Sequence, residues 1–312
     1  MIKLAEAAPP EQLAAELGQN TRVLSFRGIE LHLFRAEEAP TVMDEIGRIR
    51  EKEFRDVGAG RNLPRDLDDL DYGPYAYRQL LAWDPEKLQI VAAYRYLLCG
   101  DLQEGPGFEH LRTARLFNYS DRLRTDYLPY AIELGRSVVN READKAIMGL
   151  YCAWAGLGAL MQEYPWLKYF FGNFSVYTTL PGSAISLLLA YLERHHAATP
   201  ELLLPHSGLE YTPVPPQSPI LNGSLQEDFD AVLKYFAAIK SSIPPILLSY
   251  LGANEKLLYL GTACDHDFGG ALECAIMVPV SSLNEKTRKR FIDGYTSSNP
   301  QRFMTLRSKE PL

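Results

Sequence analysis

The chain is poor in the residues that most readily announce a function. Its 312 residues include four cysteines and six histidines. Cys99, Cys152, Cys264 and Cys274 lie far apart, form no Cys-x-x-Cys pair and sit in apolar sequence. Reduced, buried thiols are therefore expected, not a disulfide framework or a zinc ribbon. The histidines have no metal-ligand spacing. His195-His196 ends a helical stretch, where positive charge suits the helix dipole, and His266 lies between Asp265 and Asp267 in a sequence that reads as a turn. No metal is expected. An excess of basic residues is also missing: the net charge is −7 and the pI about 5.5, which argues against a nucleic-acid partner. No GxGxxG or Walker pattern is present, and no GxSxG elbow surrounds Ser137, so nucleotide binding and serine hydrolysis have little support. The longest uncharged apolar run, 146–162, falls short of the roughly 20 residues that span a bilayer. The opening MIKLAEAAPPEQLAAEL holds no apolar core of signal length. A cytoplasmic protein is expected, with peripheral contact at the inner membrane face left open.

What is present is ordinary in amount, 46% hydrophobic and 23% charged, as in a soluble globular protein with a large core. Two short strands fit 21–35 around Gly28, and apolar residues at helical spacing fit a helix over 41–57 that opens at Thr41. An aspartate-rich loop, 65–71, follows. Apolar runs at 79–83 and 89–98 flank the turn residues Asp84-Pro85-Glu86-Lys87 and predict a hairpin. Residues 100–129 read as irregular and carry the basic cluster Arg112, Arg115, Arg122 and Arg124. A strand over 130–139 leads into a helix over about 142–163. A strand over 167–177, a helix over 183–196, a helix over 226–240 and a shorter one from Pro244-Pro245 to near Gly252 come next. Strands over 257–263 and 272–280 and a helix over 281–293 complete the pattern. The expected fold is α/β, a mixed central sheet flanked by helices with extra helices in the C-terminal half. One domain is expected over 21–295, with a Pro/Ser-rich excursion at 197–224, an N-terminal segment at 1–20 and a tail at 296–312.

The most telling segment is YAIELGRSVV at 130–139, an apolar strand with Glu133 and Arg136 inside it. Buried charge is costly unless it is paired or used. Glu133 fits a structural ion pair and, equally, a general base whose pKa is raised by apolar surroundings. Strand residues three apart point to opposite faces, so a bulge at Gly135 is expected to bring Glu133 and Arg136 to one side. Arg95 lies in another apolar strand, where it would close the aspartate-rich loop or serve the same site. Arg50 and Phe54 share a helical face, as core and rim or as a cleft wall.

In order along the chain, Arg50 with Phe54, Arg65-Asp66, Asp68 and Asp71, Trp83-Asp84, Ala93-Tyr94-Arg95, Glu133-Leu134-Gly135-Arg136-Ser137, Pro244-Pro245, Tyr250-Leu251 and Asp265, Asp267, Phe268 resemble a known set. The set, over roughly residues 29–280, is similar to that of the N-acyltransferases that make ornithine and glycine lipids, a hemolysin-like branch of the GNAT superfamily. More distantly it resembles the acyl-homoserine-lactone synthases. The resemblance implies a GNAT-like fold and transfer of a 3-hydroxy fatty acyl group from the phosphopantetheine thioester of acyl carrier protein to the α-amine of an amino acid, the first step of amino-acid lipid synthesis. It implies that Glu133 accepts the amine proton, directly or through water, that Arg95 and Arg136 hold carboxylate or stabilise developing charge, and that Asp68 and Asp71 orient these arginines or the ammonium group. Arg50, Phe54 and Ser137 complete the implied substrate-binding set.

One departure stands out. Where many GNAT enzymes place a Gly-rich pyrophosphate cradle after the central strand, this chain has Asn140-Arg141-Glu142-Ala143-Asp144-Lys145. That makes coenzyme A the less expected donor and suits a carrier protein with its single phosphate, bound at the helix N-terminus with help from Arg141 or Lys145. The basic cluster at 112–124 is a dock for acidic carrier protein or a solvated loop face. A strand amide near Val138 or Val139 is the expected oxyanion donor. The apolar helix at 146–161 lines an acyl tunnel or is core. Residues 154–160, WAGLGAL, resemble the glycine-lipid branch, and that resemblance implies glycine as acceptor over ornithine. No tightly bound cofactor is expected. An acetyl-coenzyme A-dependent N-acetyltransferase and a non-enzymatic acyl-carrier or lipid-binding relative are the alternatives.

Overall fold

A computed structural model describes residues 2–214 and 220–307. Helix α1 (Pro10–Glu16) precedes a hairpin of β1 (Arg22–Phe26) and β2 (Ile29–Phe34) and then helix α2 (Pro40–Arg55). A second hairpin, β3 (Arg78–Asp84) and β4 (Gln89–Leu98), leads through irregular chain and the short β5 (Phe117–Tyr119) to β6 (Ala131–Val139). Helix α3 (Gly149–Glu163), β7 (Tyr169–Val176), α4 (Gly182–His196) and the short β8 (Leu203–Pro205) follow. Helices α5 (Leu225–Ala238) and α6 (Pro245–Ala253) come before the hairpin β9 (Leu258–Asp265) and β10 (Ala271–Pro279), with α7 (Glu285–Phe291) and α8 (Pro300–Arg307) at the end.

Eight of these strands form one sheet in the order β1-β2-β3-β4-β6-β7-β10-β9. Its neighbours are antiparallel except β6 and β7, which run parallel. This is the mixed, helix-flanked sheet that the sequence predicts. Strand β3 is buried along its whole length, because helices cover both faces of the sheet. Alternate residues serve alternate faces. Leu80 and Ala82 pack in the core that holds α3, while Leu81 and Trp83 pack with Val42, Ile46 and Ile49 of α2. Gly156 lets α3 lie close to β3, since a Cβ there would come within 2.2 Å of Leu80. The first turn of α2 is capped not by Thr41 but by Glu16, whose carboxylate accepts from the Thr41 and Val42 amides at 3.1 and 3.0 Å.

Two irregularities shape the centre of the sheet. Strands β6 and β7 pair only from Ala131–Tyr169 to Leu134–Gly172, and beyond that they diverge. Gly172, at φ 150°, makes the last pairing possible, because a Cβ would sit 2.3 Å from the Leu134 carbonyl oxygen. The second irregularity is a bulge. Arg95 faces Gly135 and Ala93 faces Val138, so Arg136 and Ser137 together oppose Tyr94. The bulge expected at Gly135 therefore falls one residue later, and Arg136 itself takes the left-handed conformation, φ 50°.

The remaining differences lie at the edges of elements. Helix α3 begins at Gly149, not near 142, because 140–148 folds into turns and a short 3-10 segment tied by Asn140 and Asp144 to the β4 region. Part of the 197–224 excursion is built in: β8 pairs with β5, and Leu202 and Leu203 are buried. Residues 300–307, which the sequence suggests are tail, form α8 with Phe303 and Leu306 buried. Arg302 donates to the Leu33 carbonyl at 2.8 Å and to both Glu38 oxygens at 2.8 and 2.6 Å, and Arg78 donates to the Leu306 carbonyl at 2.6 Å. Residue 1 of the N-terminal segment, 215–219 of the excursion and 308–312 of the tail lie outside the described residues. Arg302→Ala is expected to cost about 2 kcal/mol through lost hydrogen bonds to charged and carbonyl groups. A urea midpoint that falls with unchanged m is the readout.

Candidate active site

The divergence of β6 and β7 opens a cleft of about 570 Å³. Because β7 pairs no further than Gly172, the β6 backbone beyond Leu134 has no strand partner on that side. The lining has two chemistries. Tyr94, Leu134, Val139, Leu150, Phe174, Leu180, Pro244, Pro245 and Ile246 are apolar or largely so, while Arg95, Arg112, Thr113, Glu133, Arg136, Ser175 and Glu273 are polar. Of the apolar helix expected to line a tunnel, only Leu150 reaches the cleft among the described residues; most of α3 is core. Asn173, at the point of divergence, has a buried Oδ1 without a hydrogen-bond partner.

Beside the cleft, three acids of the 65–71 loop meet three arginines from three different elements. Arg95 of β4 pairs in bidentate fashion with Asp68, at 2.8 and 3.3 Å, and reaches Asp71 at 3.1 Å. Arg50 of α2 meets Asp71 at 3.2 Å and the Gln79 side-chain oxygen at 2.6 Å. Arg136 of β6 lies 3.0 Å from Asp66 and 3.9 Å from Asp68. Its guanidinium is also 4.6 Å from the Phe268 ring and 5.8 Å from the Phe54 ring, and these two rings pack edge to face. Burial pushes the Asp68 carboxyl up, but Arg95, Arg136 and Arg50 together hold it well below the usual carboxylate range. Glu133, Arg95, Arg136, Phe54 and Ser137 thus line the cleft, Asp68 lines a neighbouring pocket, and Arg50 and Asp71 stand behind it.

Glu133 is not paired with Arg136. It is 1% exposed and accepts from the Thr113 amide at 2.8 Å, the Thr113 hydroxyl at 2.5 Å, the Arg112 amide at 2.9 Å and the Tyr77 hydroxyl. Burial pushes its carboxyl up to about 8 against the pull of the Thr113 and Arg112 amides. Arg112 in turn bonds Asp265. A second, polar pocket of about 290 Å³ shares Arg112, Arg136 and Phe268 with the cleft and adds Arg61, Asp68, Asp265 and Asp267. Arg141 and Lys145 are not part of either lining. Arg141 pairs with Glu53 and Asp56, and Lys145 with Asp84 and Glu86. The basic cluster is likewise partnered: Arg115 with Asp69, Arg122 with Asp126 and Arg124 with Glu109.

Sequence reasoning missed Tyr77, Arg112 as a cleft residue, Thr113, Asn173, Ser175 and Glu273. A signal existed for Glu273, a lone acid in the apolar run LECAIMVP, just as for Glu133. Glu133 also yields a pH prediction. Folded, it keeps its proton to about pH 8, whereas the unfolded chain loses it near 4.5. The folded state then binds more protons between these values, so this group lowers stability as pH rises from about 4.5 to 8. Urea titrations at several pH values are expected to show a steeper decline for the wild type than for Glu133→Gln.

Residues 49–153 match the acetyltransferase (GNAT) domain family. The glycine N(alpha)-acyltransferase of Phocaeicola vulgatus is 32% identical over 317 aligned residues, covering 97% of this chain and 96% of that protein. The glycine N(alpha)-acyltransferase of Bacteroides thetaiotaomicron is 32% identical over 311, covering 96% and 92%. Among solved structures, the acyl-homoserine-lactone synthase LasI aligns over 86% of this chain and 96% of its own at 12% identity and a TM-score of 0.43. The coenzyme A-dependent synthase BjaI aligns over 89% and 100% at 13% and 0.36. No described helix is long and apolar enough to cross a membrane. By its likeness to the two glycine N(alpha)-acyltransferases along nearly all of its length, with the GNAT domain match at 49–153, the chain is an N-acyltransferase and belongs to the family of the glycine N(alpha)-acyltransferases.

Proposed function

We propose that this enzyme moves a 3-hydroxy fatty acyl group from the thioester of acyl carrier protein to the α-amine of glycine, the first step toward an amino-acid lipid. The observation that carries this reading is the cleft itself. An apolar wall from β6, β7 and α6 suits an acyl chain, and buried carboxyls and guanidiniums beside it suit a zwitterionic amino acid. The unpaired edge of β6 offers backbone groups to an extended amide-bearing arm, in the manner of an added strand. The free Oδ1 of Asn173 is placed to accept from an amide N–H of that arm.

The choice of carrier protein over coenzyme A rests on the junction after β6. Arg141 and Lys145 are engaged by carboxylates, and Glu142 is held by Lys52, so this region presents acids where a pyrophosphate would need donors. The choice of glycine rests on the two relatives. The chemistry asked of the protein is modest. It holds amine and activated thioester together, removes a proton and stabilises the oxyanion, here with a β6 amide near Val138 or Val139. Peripheral contact with a membrane fits an amphiphilic product.

Purified enzyme given 3-hydroxyacyl carrier protein and glycine is expected to yield N-acylglycine by mass spectrometry, with ornithine and acyl-coenzyme A poorer. Turnover of acetyl-coenzyme A alone would overturn the reading. Leu150→Phe, which fills the apolar wall, is expected to shorten the preferred acyl chain, with discrimination on the order of 10-fold or more per excess methylene pair. The KM for glycine should be little changed.

A further inference from the structure

We propose that Glu273, and not Glu133, takes the proton from the acceptor amine, and that Glu133 is a positioning residue for the Arg112–Thr113 turn. The proposal rests on the acyl-transfer reading above and concerns which group in that cleft acts as base.

The first ground is acceptor capacity. A carboxylate offers about four acceptor sites. Glu133 has four donors: the Thr113 amide and hydroxyl on Oε1, the Arg112 amide and the Tyr77 hydroxyl on Oε2. No site is left for a substrate N–H. Protonation does not free one, because the neutral acid loses acceptor capacity and its own proton must go to one of the same hydroxyls. Three of the four donors instead pin residues 112–113 to β6, the fourth ties in Tyr77, and from there the Arg112 side chain reaches Asp265 across the site. That is the work of an anchor.

Glu273 stands in the same cleft under different conditions. It lies on β10 opposite Ser175 of β7 and is 8% exposed. Among the described residues it receives one hydrogen bond, from the Ser175 hydroxyl to Oε1 at 2.5 Å, which leaves Oε2 for a substrate. The charged and titratable groups that bear on it are Arg112 and Arg136, which favour its ionised form, and Asp265 and Tyr177, whose charges oppose one another with it. Burial pushes its carboxyl up, the direction that brings a carboxylate base closer to an ammonium. Both arginines line the cleft, each already beside a carboxylate, Asp265 for Arg112 and Asp66 for Arg136, so an amino acid's carboxylate would share a guanidinium while its ammonium meets Glu273. The arrangement therefore fits a zwitterion held at both ends.

The ammonium gives one proton to Glu273 Oε2 and becomes the free amine. Its nitrogen attacks the thioester carbonyl, and the N–C bond forms. The C–S bond breaks, and the second amine proton leaves with the sulfur as thiol. Glu273 returns its proton to solvent, so the net products are amide, thiol and one proton.

The test is the pH profile of kcat/KM for glycine with an acyl thioester donor. Glu273→Gln is expected to lose about 10²–10⁴ in rate together with the ascending acidic limb, and Glu273→Asp to recover part of both. Glu133→Gln is expected to keep the limb while melting at lower temperature. Ser175→Ala, which removes the one hydrogen bond that lowers the Glu273 pKa, is expected to move the limb to higher pH, and this variant keeps the test alive if Glu273→Gln fails to fold. A limb that survives in Glu273→Gln, vanishes in Glu133→Gln, or stays fixed in Ser175→Ala overturns the assignment. A wild type that makes no N-acyl product from any thioester removes the acyl-transfer reading instead, and the assignment with it.

Discussion

Three guanidiniums and three carboxylates, withdrawn together from water, hold this site in shape. Burying charge costs several kcal/mol per ion, and close opposite charge offsets that cost only when the geometry is good. Here Arg95 grips Asp68 with both arms, Arg50 is shared between Asp71 and Gln79, and Arg136 sits against Asp66. Each arginine comes from a different element, α2, β4 or β6, and all the acids come from one loop. The loop therefore staples the helix to the two central strands. Removing one partner from such a set leaves an uncompensated buried charge, which typically costs 3–5 kcal/mol.

The strain at Arg136 follows from this arrangement. A non-glycine residue at φ 50° within a strand persists only where its surroundings fix it. The Asp66 carboxylate on one side and the Phe54 and Phe268 rings on the other supply that fixing. The resulting bulge changes the facing of β6 just where β7 departs, so one short stretch of backbone turns the charged residues toward the cleft and leaves its edge unpaired. The ion cluster, the bulge and the cleft are thus successive consequences of one set of contacts.

Much of this was legible in the sequence. The strand at 130–139, the two hairpins, the acidic loop and the charges embedded in apolar runs all carried local signals, and Arg95, Arg136, Asp68 and Phe54, singled out on those signals, come together in space. What was not legible depends on distant contacts. Gly135 drew attention because glycine tolerates strain, but the position of the bulge is set by partners of Arg136 elsewhere in the fold. Tyr77 meets Glu133 from 56 positions away and Thr113 from 20, and nothing local to either marks the contact. Helix α8 is polar in sequence, and its place depends on what Arg302 and Phe303 find on the sheet. Arg141 and Lys145 looked free as a sequence and are engaged by Glu53, Asp56, Asp84 and Glu86 in space.

The buried cluster also gives the molecule two electrostatic regimes. Salt screens charges in contact with solvent over about 8–10 Å at ordinary ionic strength, and touches buried pairs far less. The Arg–Asp cluster is largely buried and so weakly screened, whereas Arg115 with Asp69 and Arg124 with Glu109 stand at the surface. Raising ionic strength therefore acts on the exterior first. It weakens whatever charged partner approaches that face while the interior geometry of the site stays as it is.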